Sequence, residues 1–121
     1  MTPLETYKGP QSRTAIAQNL YVRMMVFANA GDRNDGHSHP YDHLTLLASG
    51  RLRVSVEGRD DVELVAPTVF LTPKGLIHRF VALEDNTVVT CMHALRDEAG
   101  NIIPQDTSVA EAAAQIRHLT E

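Results

Sequence analysis

From Gln18 to Leu95 the chain runs as short stretches of alternating apolar and polar residues, interrupted by Gly, Asp, Asn and Pro, which is the period of two that a half-buried strand requires. The first clear strand lies within Gln18 to Ala28, rich in β-branched, aromatic and large apolar side chains, and it ends at the turn signal Asn29-Ala30-Gly31. Alternation puts Leu20, Val22, Met24 and Val26 on one face and Tyr21, Arg23, Met25 and Phe27 on the other. Both faces are half apolar, so the pattern leaves open which looks inward. Gly31 to Gly36 has the Asp, Asn and Gly density of a turn, and His37 to Ser49 reads as strand with a break at Pro40. Arg51 to Glu57 follows Ser49-Gly50 directly, which predicts a hairpin between these two strands. After a turn at Gly58 to Asp61 come short strands over Val62 to Val65, Thr68 to Thr72, Ile77 to Leu83 and Thr87 to Leu95. Eight or so short, evenly spaced strands predict an all-β closed barrel or jelly roll over residues 18–96.

The two ends differ from this middle. Met1 to Ala15 carries Pro3, Gly9 and Pro10 and no clear period, so residues 1–17 are expected as an arm suited to packing on a partner subunit. Near the other end, Ser108 and Glu111 form a capping-box pair, and Val109, Ala112, Ala113, Ile116 and Leu119 repeat at helical spacing. One short amphipathic helix is expected over residues 107–119, to close the barrel mouth, cover a sheet edge or meet a second subunit.

Composition narrows the setting. With 121 residues the chain has room for one domain and one core. Its 43% hydrophobic and 21% charged residues are ordinary for a water-soluble domain, and no apolar run approaches the ~20 residues of a membrane helix. The first fifteen residues have neither a basic nor an apolar segment of a secretory signal, which leaves the cytoplasm as the expected location. A net charge of −4 and only two lysines, Lys8 and Lys74, argue against nucleic acid as a partner. The single cysteine, Cys91, lies in the apolar run VVTCMHAL and is expected to pack in the core as an inert thiol.

The candidate chemistry is concentrated in histidine. His37, His39 and His43 fall within seven positions and share parity, so an extended backbone aims them at one side. His78 opens a later strand with Phe80 and Ala82 on its own face. Four imidazoles converging to within a few Å are a transition-metal site, since imidazole nitrogen binds Zn, Fe, Ni, Cu or Mn at about 2.0–2.2 Å. His118 is expected to be solvated, and His93 to be structural or to line the pocket.

These residues resemble a known family. Gly31 to Gly50 is similar to the first cupin motif, G-x5-H-x-H-x3-E-x6-G, at every fixed position except that His43 stands where glutamate is usual. Pro67 to Ala82 resembles the second motif, G-x5-P-x-G-x2-H-x3-N. There Pro73, Gly75 and His78 match, while Pro67 and Ala82 replace the leading glycine and closing asparagine. The resemblance implies a double-stranded β-helix, often dimeric, holding one divalent metal ion per chain (Mn, Fe, Ni, Zn or Cu) on His37, His39, His43 and His78. Imidazole in place of a carboxylate at position 43 leaves a formal charge of +2 at a divalent centre, which favours anionic substrate groups.

Four protein ligands on a six-coordinate ion leave two positions open, and the leading expectation is a metal-dependent oxygenase, of dioxygenase type, acting on a small organic molecule. Tyr41, His93, Phe80, Arg23 and Met25 are the candidate pocket residues, with Arg23 placed to meet a substrate carboxylate. A non-catalytic binding module and a Lewis-acid isomerase or lyase are the alternatives. The last requires a general base, for which Tyr41 or His93 is the candidate.

Overall fold

The computed structural model describes residues 8–97 and 99–104, apart from the side chain of His37. Nine strands follow one another: β1 (Gln11–Ala17), β2 (Leu20–Phe27), β3 (Arg33–His37), β4 (His43–Ser49), β5 (Arg51–Val56), β6 (Val62–Val65), β7 (Thr68–Thr72), β8 (His78–Ala82) and β9 (Thr87–Ala94). They form two antiparallel sheets, a five-stranded one in the order β1-β2-β9-β4-β7 and a four-stranded one in the order β3-β8-β5-β6. The sheets enclose a core of Met25, Phe27, Leu47, Leu52, Val54, Phe80, Ala82 and Val89. This is the all-β, double-stranded β-helix architecture expected. The helix predicted over residues 107–119 lies outside the described residues. Among the described residues, no helix is long and apolar enough to cross a membrane.

Burial settles the ambiguity of β2. Tyr21, Met25 and Phe27 are buried, so their face looks inward and Leu20, Val22, Met24 and Val26 look out.

Three expectations about the strands are corrected, the first being Gly31 to Gly36, read as a turn, which carries most of β3 from Arg33. The irregular lead-in through Ala15 instead contains β1, which pairs along its whole length with β2, from Gln11↔Val26 to Ala17↔Leu20. Its residues QSRTAIA are nearly all exposed because β1 is a sheet edge, and an edge strand with so little apolar surface leaves no alternation to read. The predicted hairpin of β4 with β5 does not form: β4 pairs with β7 and β9, β5 with β6 and β8. Gly50 makes the corner between the sheets. It sits at φ +84°, and a Cβ there would run into Thr87, whose hydroxyl donates to the carbonyls of Glu84 (2.9 Å) and Arg51 (3.3 Å). Only glycine passes this point, where the chain leaves one sheet and enters the other.

Candidate metal centre

Several strand ends meet at one end of the sandwich. β3 finishes at His37, β4 starts at His43 and β8 starts at His78, while His93 near the end of β9 lies opposite Tyr21 near the start of β2. His43 shares its face with Thr45 and Leu47, and His78 shares its face with Phe80 and Ala82, all buried. Strand alternation therefore carries both imidazoles into the interior. His39 lies beyond the end of β3, in the loop to β4. That loop is tied down at two points: the Gly75 N–H donates to the His39 carbonyl (2.7 Å) and the Lys74 N–H to Asp42 Oδ1 (2.7 Å). Close approach of β3 to β8 needs Gly36, because a Cβ there would strike the His78 carbonyl oxygen.

His39, His43 and His78 come together as a buried cluster. One nitrogen of each lies within 4.8 Å of the others. The ring centroids are 5.5 Å apart for His39–His43, 5.7 Å for His43–His78 and 5.8 Å for His39–His78. Three nitrogens spread around one ion at about 2.1 Å stand ~3.5 Å apart, so the rings would draw in by about 1 Å to share one centre. Beside them is a cavity of about 20 Å³, lined also by Tyr21, Arg23, Met25, Asn34, Phe80, Cys91 and His93. A space of that size holds one ion or one water, not an organic molecule. The donor set fits a transition metal: three neutral nitrogens suit Zn, Cu, Fe or Ni.

The other residues singled out in the sequence take up distinct places. His37 faces His78 across the β3–β8 ladder through its backbone, and its side chain lies outside the described residues. Met25 and Phe80 line the cavity and also belong to the core. Arg23 lines it too; its guanidinium donates to Ser12 Oγ (3.0 and 3.3 Å), and among the described residues no carboxylate pairs with it. Tyr41 is not in the cavity wall. It stacks on His39, with centroids 5.2 Å apart, and its ring meets that of His93 at 4.7 Å.

The His93 ring is fixed by its contacts. Its Nδ1–H donates to the Ala94 carbonyl (2.9 Å), which leaves Nε2 to accept from the Tyr41 hydroxyl (3.4 Å). Burial pushes the His93 pKa down; the Ala94 hydrogen bond opposes this, and the nearby Arg96 charge adds to it. His93 is therefore neutral near pH 7, with a lone pair on Nε2. The Arg96 guanidinium lies 5.6 Å over the Tyr41 ring.

Tyr21, Asn34 and Cys91 also line the cavity and had not been assigned to the pocket. Tyr21 was open to inference, since it shares parity with Arg23 and Met25. Asn34 was not, since it sits among residues that read as a turn. Burial pushes the Cys91 thiol up to about 11, against a hydrogen bond with Thr45 and the charge of Arg23. At neutral pH this side chain is a thiol, as expected of an inert cysteine.

A family model for the cupin domain matches residues 23–93, more than half of the chain. The chain belongs to the cupin family. Solved structures similar to this cupin include KdgF from Halomonas sp. (24% identity, TM-score 0.62, covering 74% of this chain and 82% of that one). An RmlC-like cupin with a double-stranded β-helix fold from Methanocaldococcus jannaschii has 8% identity and a TM-score of 0.60, covering 70% of this chain and 81% of that one. The DMSP lyase DddQ from Ruegeria pomeroyi has 17% identity and a TM-score of 0.56, covering 64% of this chain and 39% of that one. At these identities the likeness concerns the fold. A search of curated proteins found no match by sequence.

Proposed function

We propose that this cupin is a metal-dependent enzyme that moves a proton on a small organic acid, in an isomerase or lyase type of reaction. His39, His43 and His78 would hold one divalent ion, with His37 as the fourth ligand expected from its place in the motif. When bound, the ion would act as a Lewis acid on a substrate oxygen. The cavity has room for the ion alone, so the substrate would sit at its mouth. Arg23, a cation with no acidic partner among the described residues, is available to a substrate carboxylate. Tyr41 stands over His39 with its O–H on His93 Nε2, and the neutral His93 is held by the Ala94 carbonyl. A hydroxyl backed by an imidazole lone pair can take a proton from substrate carbon and pass its own to His93. This Tyr41–His93 pair is the observation that carries the reading, because it supplies the base that Lewis-acid chemistry requires.

The oxygenase reading is the second. It is favoured by the all-imidazole donor set, which suits Fe and Cu as well as Zn. One experiment separates the two. Metal-loaded protein is incubated in D2O with a panel of small carboxylic acids that carry an acidic C–H, while proton NMR follows exchange and an electrode follows oxygen. Deuterium uptake without oxygen consumption is expected, lowered about 10²–10⁴-fold in Tyr41→Phe with metal content unchanged. Substrate-dependent oxygen uptake would replace this reading with the oxygenase. Neither signal from metal-loaded protein would favour a non-catalytic binding module.

A further inference from the structure

We infer that a groove outside the barrel, beside the metal centre, binds a free α-amino acid with a large apolar side chain. This goes beyond the catalytic reading and does not depend on it. The groove has a volume of about 410 Å³ and a floor of Leu20, Leu44, Leu71 and Met92, one outward residue from each of β2, β4, β7 and β9. The floor is continuous, since Leu44 lies opposite Met92 on one side and Leu71 on the other. Leu20, Leu44 and Leu71 are 47%, 52% and 57% exposed, and apolar side chains gathered in a hollow in this way line a binding groove.

Two opposite charges stand at one end of this floor. β4 and β9 run antiparallel with Leu44 opposite Met92, so Asp42, two residues before Leu44, and Arg96, four residues after Met92, lie toward the same end. Both line the groove, together with His43 and His93, which form the wall it shares with the metal cavity. Among the described residues no ion pair joins Asp42 to Arg96 or either of them to another side chain. Each is instead held by the backbone. Asp42 Oδ1 accepts from the Lys74 N–H (2.7 Å), and Arg96 Nη1 donates to the Gly100 carbonyl (3.0 Å) in a loop that Asp97 ties to Ala99 and Asn101. The other carboxylate oxygen and most of the guanidinium fork are left for a ligand.

Fixed charges of opposite sign beside an apolar floor match a zwitterion. Its ammonium would meet Asp42, its carboxylate the Arg96 fork, and its side chain the leucines, with little ordering of the protein required. A fatty acid or an amine would answer only one of the two charges. Size agrees, because the groove lies near the lower end of the roughly 300–1,000 Å³ of small-molecule pockets.

The test is isothermal titration calorimetry of the metal-loaded chain with L-leucine and with three of its fragments. Isocaproate lacks the ammonium, isoamylamine the carboxylate and glycine the side chain. L-leucine is expected to bind once per chain with a Kd below about 1 mM, and each fragment roughly 10-fold or more weakly. Asp42→Asn removes the charge but keeps an acceptor for the Lys74 N–H, and Arg96→Gln removes the fork. Each is expected to weaken L-leucine roughly 10-fold or more with metal content unchanged. Amino acids also chelate metals, so the titration is repeated on His78→Ala, where binding is expected to persist. Binding that disappears with the metal would overturn the inference and assign the amino acid to the ion. Isocaproate bound as tightly as L-leucine, or Asp42→Asn binding like wild type, would overturn the zwitterion. No binding to wild type that carries its metal would strike this inference alone and leave the groove to a second copy or to residues 105–121, which the mass in solution distinguishes.

Discussion

Three buried imidazoles within 4.8 Å of one another decide what individual substitutions should do. His39 comes from a loop, while His43 and His78 come from strands whose next inward residues are buried. For His39→Ala and His78→Ala, metal affinity is expected to fall by more than the roughly 10–100-fold that follows loss of a group outside the ligand shell. Wild type purified without chelator should carry close to one transition-metal ion per chain by elemental analysis, and each variant only a small part of it. Equal metal in all three would remove the site. His43→Glu is the complementary change, exchanging a neutral donor for an anionic one at the same place, and it should keep the metal. If it binds none, the equivalence of position 43 to the glutamate position of the motif is wrong. The Tyr41–His93 pair could not be read in the same way, because its members are 52 residues apart and the contact depends on how the 38–42 loop lies over the end of β9.

Among the elements, the strands that alternate were legible and their partners were not. β5 through β9 fall within a residue or two of their expected places, because each buries one face and shows the other to water. The choice of neighbour is non-local: β4 ends one residue before β5 begins, yet Gly50 sends them into different sheets. Local spacing suggested a hairpin because nothing in Ser49-Gly50 reveals Thr87 packed against the corner. The difficulty of orienting β2 has a physical cause as well, since Val22 and Met24 are apolar on the outer face as Tyr21, Met25 and Phe27 are on the inner one, and such a strand has no polar face to mark the outside. The corner itself is testable. Gly50→Ala puts a side chain at φ +84° against Thr87. A left-handed non-glycine residue costs roughly 1–2 kcal/mol before any clash. With a urea slope of about 1–3 kcal/mol per molar, the unfolding midpoint should drop by about 1 M, measured by circular dichroism on the metal-free protein. An unchanged midpoint would mean that the corner does not constrain the fold.

On the scale of the whole molecule, the metal centre lies where β3, β4 and β8 have their ends, and the loop 38–42 brings the third imidazole. An ion bound there would join both sheets, β4 from one and β8 from the other, at an end where ladder hydrogen bonds run out. The unfolded chain scatters the same histidines over some forty residues, so the ion prefers the folded state and its binding energy adds to stability. With free metal at about 100 times Kd, the stabilisation is roughly 2.7 kcal/mol. For a chain of this length each kcal/mol moves the midpoint by about 4 °C, so chelation should lower the Tm by roughly 10 °C. Differential scanning calorimetry of wild type with and without EDTA measures it directly, and readdition of metal should restore the loss. The His78→Ala variant is the discriminating sample: it should melt near the chelated wild type and respond little to either treatment. If chelation left the wild-type Tm unchanged although metal analysis showed one ion per chain, the ion would be bound somewhere that does not bridge the sheets. The three histidines would then owe their proximity to packing alone.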